Sequence, residues 1–220
     1  MNLIGLDLDG TLEDSRQDMV SAATQVRAQL GLPVRGETQL RPWVNAGMDA
    51  LYRACFDDYL AQGDATARFA AVREAYEAEY LAHVAVATRL YNGMAEALVA
   101  LSKLGTLACI TNKPEHISRK LLDELGVGAL FATVVGGDTC AHAKPHPIML
   151  RTAAERCAFH PPKDRAFMIG DTAADIKLAH AFGATSIWCA WGYAAQLDSG
   201  SETPHFEAVT PHDLPGIVAR

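Results

Sequence analysis

The sequence predicts an α/β protein: a doubly wound parallel sheet of Rossmann-like kind with an inserted α-helical domain. Three observations carry that expectation. From about Tyr91 onward, short apolar runs alternate with helical stretches, the pattern of βα units whose parallel strands are covered on both faces. Residues 15–88 read as helix only. The opening "NLIGLDLD" joins the sheet as its first strand, so the helical stretch interrupts the sheet between its first and second strands. The expected division is an α/β core of 1–14 and 89–220 with a helical cap of 15–88.

In the helical stretch, Met19, Ala22, Ala23, Val26 and Leu30 fall at helical spacing, with Ser15 as N-cap and Gly31 as the stop. A second helix is expected over about Asp49 to Leu60. A third carries Phe69, Val72, Tyr76 and Tyr80 along one side, a stripe that reads as cap core. In the alternating part, Ala97, Leu98, Leu101 and Leu104 make a helix stopped by Gly105, and "TLACIT" (106–111) is a short buried strand. A helix from Pro114 to about Leu125 leads to the strand "ATVVGG", then to a helix from about Pro147 to Cys157. "AFMIGD" is a strand, 173–182 a helix stopped by Gly183, and "TSIWCAW" the last strand, with Trp188 and Trp191 packed around it. About Asp198 to His205 is the one loosely built stretch.

Composition narrows the function classes. At 220 residues, half hydrophobic and a fifth charged, the chain suits one large domain with or without an insertion. No apolar run approaches the roughly 20 residues needed to span a bilayer. The first residues lack the basic region of a secretory signal, and a soluble cytoplasmic protein is expected. A net charge of -7 offers no field for holding a nucleic-acid backbone. Five scattered cysteines without a C-x-x-C speak against a metal finger or a disulfide framework. Cys109 and Cys189 lie in apolar runs and read as small core residues.

Ligands of open parallel sheets bind beyond the carboxyl ends of the strands. Those ends carry the chain's most distinctive polar text: Asp7 and Asp9 with Gly10 and Thr11, then Thr111 and Asn112, then Lys144 before Pro145, then Asp171 with Asp175 one helical turn on. All should gather on one rim. Asp7, Asp9, Asp171 and Asp175 would repel one another unless a cation sits among them, and oxygen ligation suits Mg²⁺. Thr111, Lys144 and free backbone N–H groups suit a phosphoryl group. The arrangement fits phosphoryl transfer through an aspartyl-phosphate on Asp7. Asp9 should share Asp7's strand face and serve as acid and base, with neighbouring negative charge helping it hold a proton.

These residues resemble the haloacid-dehalogenase-like hydrolases, in particular the phosphoglycolate phosphatase-like group with a helical cap after the first strand. "DLDGTLEDS", "ITNKP", Lys144 in "AKPHP" and "GDTAADI" are similar to the family's four motifs, in order, over nearly the whole chain. The resemblance implies Asp7 as nucleophile and magnesium ligand, and Asp9 as acid/base giving its backbone carbonyl to the metal. It implies Thr111, Asn112 and Lys144 as phosphoryl holders, Asp171 as a metal ligand, and Asp175 as a direct or outer ligand. The text departs from the family's at Gly5 and Leu6. It departs again at Val44-Asn45-Ala46-Gly47, where relatives often carry two glycines. That cap loop faces substrate in this group, which makes Asn45 and Gly47 candidate specificity residues.

The function expected is Mg²⁺-dependent hydrolysis of a small phosphorylated metabolite such as 2-phosphoglycolate, with Arg35, Arg41 and Arg53 as candidate cap cations for a second substrate charge. A sugar-phosphate mutase or a pyrophosphatase on the same core stays open, as does a non-catalytic phospho-ligand-binding relative. A phosphonate hydrolase is disfavoured, because the first lysine of the chain is Lys103 and the cap therefore holds none. His142 and His146 flank Lys144 but have no partner at ligand spacing and read as loop residues.

Overall fold

The computed structural model describes residues 2–44, 47–161, 163–194, 196–197 and 202–220. It consists of two compact units, Met1–Asp14 with Arg89–Arg220, and Ser15–Thr88. In chain order the first unit opens with β1 (Asn2–Leu6) and the two-residue β2 (Glu13–Asp14). The helical unit follows with α1 (Arg16–Gln29), α2 (Glu37–Leu40), α3 (Met48–Cys55), α4 (Asp57–Leu60) and α5 (Ala65–Ala82). The chain then returns through β3 (Arg89–Leu90), α6 (Met94–Ser102), β4 (Thr106–Ile110), α7 (Glu115–Glu124) and β5 (Phe131–Val135). It ends with α8 (Ile148–Arg156), β6 (Arg165–Gly170), α9 (Ala173–Phe182), β7 (Thr185–Cys189), β8 (Phe206–Ala208) and α10 (Leu214–Val218).

Six strands form one parallel sheet in the order β5-β4-β1-β6-β7-β8, while β2 and β3 pair as a separate antiparallel ribbon. The strands are nearly continuous apolar runs because both faces are covered. Leu3, Ala108, Ile110 and Met168 pack on one side with Met149, Leu150 and Ala153 of α8 and Leu178 and Ala179 of α9. Ile4, Leu6, Leu107, Cys109, Phe167 and Ile169 alternate with them and are equally buried, so they face the other side. Gly5 lies where a Cβ would press on Ile110, Met168 and the Phe167 carbonyl, which accounts for a glycine in the middle of β1.

The expected strands and helices of the sheet unit are present, and the β2–β3 ribbon, β8 and α10 add to them. "TSIWCAW" is not the last strand: β8 pairs parallel to β7 at the sheet edge. Of the stretch expected to be loosely built, 198–201 lies outside the described residues, and Glu202 is paired with His180. In the helical unit, the expected second helix is two, α3 and α4, broken at Phe56. Phe56 is fully buried, and the Cys55 carbonyl accepts from Arg27 Nη1 at 2.5 Å. Ser15 precedes α1 without a side-chain cap bond, its hydroxyl lying 3.5 Å from Met19 Sδ. Tyr76 and Tyr80 are buried core residues of this unit. Among the described residues, no helix is long and apolar enough to cross a membrane.

The chain winds from β1 outward to β4 and β5, then returns to the other side of β1 for β6, β7 and β8. The direction reverses between β1 and β6, and a crevice opens at the carboxyl ends of strands on either side of such a reversal. Asp7 follows β1 there and Asp171 follows β6.

Candidate active site

Main-chain bonds carry the sheet one step past its strands and fix the rim. Asp7 N donates to the Ile169 carbonyl at 2.9 Å, and Thr111 N donates to the Val135 carbonyl at 3.0 Å. After Asp7 the chain turns sharply: Gly10 takes φ +82°, and its amide donates to the Glu13 carbonyl at 2.9 Å. A side chain at Gly10 would be strained at that φ and would also collide with the Asp171 carboxylate.

Lys144 is the hub of the site. It is 8 % exposed, and its Nζ lies 2.6 Å from Asp7 Oδ1 and donates to Asp175 Oδ1 at 2.7 Å. Burial alone would lower its pKa, but Asp175 and Asp7 outweigh burial and hold it above the ordinary lysine range. Its main chain is gripped by Asn112, whose Oδ1 accepts from Lys144 N at 2.8 Å while Nδ2 reaches the Lys144 carbonyl at 3.5 Å. Asp175 is held in turn: its Oδ2 accepts from the Thr172 hydroxyl at 2.6 Å and the Thr172 amide at 3.1 Å.

Asp7, Asp171 and Asp175, all buried, present oxygens within 4.8 Å of one another, a grouping that could hold a metal ion. Burial first, and then the charge of Asp175, push Asp7 well above the usual carboxylate range, although Lys144 pulls the other way. The same two causes push Asp171 to about 6, offset by the Tyr193 amide donating to its Oδ2 at 2.7 Å. Its Oδ1 accepts from the Thr11 hydroxyl at 3.2 Å. Within this group three buried acids stand against the single ammonium of Lys144.

Asp9 differs from its expected placement. β1 ends at Leu6, so Asp9 lies on the turn and not on a strand face shared with Asp7, and its side chain is outside the three-carboxylate group. Its Oδ1 is paired with the Lys113 ammonium, a cation beside a carboxylate for which negative neighbours were expected. Lys113 is the residue that the sequence reading passed over. It is only 2 % exposed. The signal was available: a lysine between Asn112 and Pro114, at a strand end, belongs to the same rim. Thr111 is buried beside it, its hydroxyl accepting from Lys113 N at 3.1 Å.

The remaining expected residues lie elsewhere. Asn45 falls outside the described residues. Gly47 precedes α3 with φ +88° and open space where a Cβ would be. The three arginines are engaged within the helical unit: Arg35 with Asp57 at 2.5 Å, Arg41 with Glu37 at 2.6 Å, and Arg53 over the Phe69 ring at 4.6 Å. His142 and His146 are exposed, with ring centroids 4.6 Å apart. Trp188 and Trp191 do more than pack: their indole N–H groups donate to the Asp171 carbonyl at 3.2 Å and the Thr11 carbonyl at 3.0 Å.

The fold and site define an α/β protein whose acids and lysine gather at the switch point of a parallel sheet, and comparison with known proteins gives the family. The model of the haloacid dehalogenase-like hydrolases matches residues 4–189, and the chain belongs to that family. Its relatives place it in the phosphoglycolate phosphatase-like group. A phosphoglycolate phosphatase from Nitrosococcus oceani is 34% identical over 203 residues, 92% of this chain and 89% of that protein. Another, from Xanthomonas campestris pv. campestris, is 37% identical over 188 residues, 85% of this chain and 82% of that one. Among solved structures, a predicted phosphoglycolate phosphatase from Haemophilus somnus 129pt superimposes with a TM-score of 0.83 at 27% identity, covering 98% of this chain and 96% of that one.

Proposed function

We propose that this chain is a Mg²⁺-dependent phosphatase that hydrolyses a small phosphomonoester of the 2-phosphoglycolate kind through an aspartyl-phosphate on Asp7. The observation that carries the reading is the contact between Asp7 and Lys144, a buried carboxylate with an ammonium 2.6 Å away at the sheet's switch point. The names of the Nitrosococcus and Xanthomonas relatives support the substrate class.

The residues present fit the cation. Asp7, Asp171 and Asp175 form an all-oxygen donor group, the kind that suits Mg²⁺. Burial first, and then neighbouring negative charge, push Asp7 and Asp171 above the usual carboxylate range, against the ionised forms that the reaction needs. When bound, the ion would supply the positive charge that keeps them ionised and lets a phosphate dianion approach. Asp7 and Asp171 would hold it directly, with the Asp9 backbone carbonyl. Asp175 adds its charge while anchoring Lys144.

In the first step a carboxylate oxygen of Asp7 attacks phosphorus, and the ester P–O bond breaks. Asp9 gives its proton to the departing alcohol oxygen. It then takes a proton from the water that attacks phosphorus, releasing inorganic phosphate and returning Asp7 to the carboxylate. The Lys113 ammonium suits the carboxylate state of Asp9 in that second half. Lys144 and the Thr111 hydroxyl hold the phosphoryl oxygens. Asn112 contributes through the Lys144 main chain, which it fixes.

Phosphate release from a panel of phosphorylated metabolites tests the reading. Turnover of 2-phosphoglycolate should need Mg²⁺, stop on chelation and vanish in Asp7→Asn. A protein that releases no phosphate from 2-phosphoglycolate or p-nitrophenyl phosphate with Mg²⁺, at any pH from acid to neutral, would overturn it. Isomerisation of a sugar phosphate without phosphate release would point to a mutase instead.

A further inference from the structure

The turn after β7, residues 190–193, contributes no group to the chemistry above, yet it holds that chemistry in place from one side. The Tyr193 amide bonds one oxygen of Asp171, and the Thr11 hydroxyl bonds the other. Between Trp191 and Tyr193, Gly192 lies so close that a Cβ there would overlap the Asp171 side chain. Trp191 spans from this turn to the loop that carries Asp7, giving its indole N–H to the carbonyl of Thr11 at 3.0 Å. Thr11 is fully buried, so this bond meets a carbonyl that water does not reach in its place. The indole is itself braced, edge to face against Tyr91 with centroids 6.5 Å apart.

We infer that Trp191 is a positioning residue, which clamps the Thr11 carbonyl and thereby sets the spacing between Asp7 and Asp171. Two buried carboxylates that repel each other will spread if their loops allow it. Thr11 lies four residues from Asp7 and bonds Asp171 through its hydroxyl, so fixing its main chain fixes both acids together. Outer groups that orient metal ligands govern affinity in this way, and losing one typically lowers affinity about 10- to 100-fold. The inference rests on the proposed cation role of Asp7 and Asp171.

Trp191→Phe keeps the ring and removes only the donor. Mn²⁺ titration followed by electron paramagnetic resonance, on chelator-stripped protein, reads cation affinity without turnover. A dissociation constant about tenfold weaker is expected for this variant. Its KM for p-nitrophenyl phosphate at saturating cation should match the parent. Tyr91→Leu, which removes the ring that braces the indole, should shift the constant the same way by less, and serves if Trp191→Phe does not fold. Parental Mn²⁺ affinity in both variants overturns the inference, as does a lower melting temperature with unchanged affinity. Asp171→Asn separates the two levels: it should abolish Mn²⁺ binding. Parental affinity in that variant would sink the cation reading and the Trp191 inference with it, whereas parental affinity in the Trp191 and Tyr91 variants alone sinks only the inference.

Discussion

Arg27 in the helical unit and Lys144 at the sheet rim are both buried cations, but their surroundings are balanced differently. The Arg27 guanidinium donates to both Asp58 oxygens, at 2.9 and 2.6 Å, to the Pro33 carbonyl at 3.3 and 2.8 Å, and to the Cys55 carbonyl at 2.5 Å. Arg35 also approaches Asp58, at 3.2 Å. Asp18, buried in the same unit, accepts from the amides of Ala87 and Thr88 and from the Thr88 hydroxyl. Each of these buried charges has its complement within the unit. Lys144 instead faces Asp7 and Asp175 with Asp171 beside them, and two of those acids are driven above their usual range. Closed charge is what a fold needs for stability. Charge left open at a crevice is what a polyvalent ligand can close, and that contrast separates framework from site.

The contrast breaks hardest at Asp7. Asp7→Asn should lower turnover by about 10³-fold or more, since the nucleophile itself is gone. It should leave the metal-free melting temperature equal or higher, because one repelling charge is removed. A large loss of stability in Asp7→Asn would mean that the rim is framework after all. Arg27→Met should do the reverse. Stranding Asp58 and two carbonyls should cost about 3 kcal/mol of stability. Turnover per folded molecule should stay within about twofold, as expected of a change that touches only framework. Denaturant titration and initial rates on the same samples decide both.

How much of this was readable in the chain depends on how far apart the partners lie. Helix α9 was legible to the residue: Thr172 stands before it and Gly183, at φ +86°, ends it, both acting within a few residues. The strand-end rule likewise brought Asp7, Lys144, Asp171 and Asp175 to one rim, because apolar runs and the polar residues that end them are local signals. What stayed hidden is non-local. β8 is three residues long and becomes a strand only by pairing with β7. No glycine or proline marks the break at Phe56, where the Cys55 carbonyl is taken by Arg27 from 28 residues away. Lys113 reaches Asp9 across 104 residues and Trp191 reaches Thr11 across 180, distances over which periodicity says nothing.

Acid titration should pull the two regions in opposite directions. Asp171 holds its proton more tightly folded than unfolded, its pKa rising from 3.8 to about 6. Folding therefore takes up a proton in that window, and raising the pH through it withdraws stability, on the order of 3 kcal/mol in metal-free protein. Asp7 is shifted the same way and adds to the slope. Asp58 is held below 3.8, first by the Arg27 hydrogen bond, so its contribution is present above that pH and is lost as the pH falls below it. Denaturant midpoints of chelator-stripped protein should fall between pH about 4 and about 6, and Asp171→Asn should flatten that fall. Asp58→Asn should leave that window untouched and weaken the pH dependence below it. Identical slopes for the parent and Asp171→Asn would remove the electrostatic half of the comparison.

The finest test sets like against like, with one helix start in each region. Asp64 accepts from the amides of Thr66 at 2.9 Å and Ala67 at 3.2 Å at the start of α5. At the start of α9 the roles are reversed, Thr172 giving its hydroxyl and amide to Asp175. Asp64→Ala should cost about 1 kcal/mol as a lost cap, and Thr172→Ala about as much through the lost hydrogen bond to Asp175. Only the second should also reach the chemistry, because Asp175 holds the Lys144 ammonium at 2.7 Å. A drop of about tenfold in kcat is expected for Thr172→Ala, the scale set by losing a group that orients a site residue. Thr172→Ser keeps the hydroxyl and should recover most of both losses. If the two alanine variants prove equal in rate as well as in stability, Asp175 is a helix-start acid like any other, and Lys144 is held by Asp7 and the Asn112 grip without it.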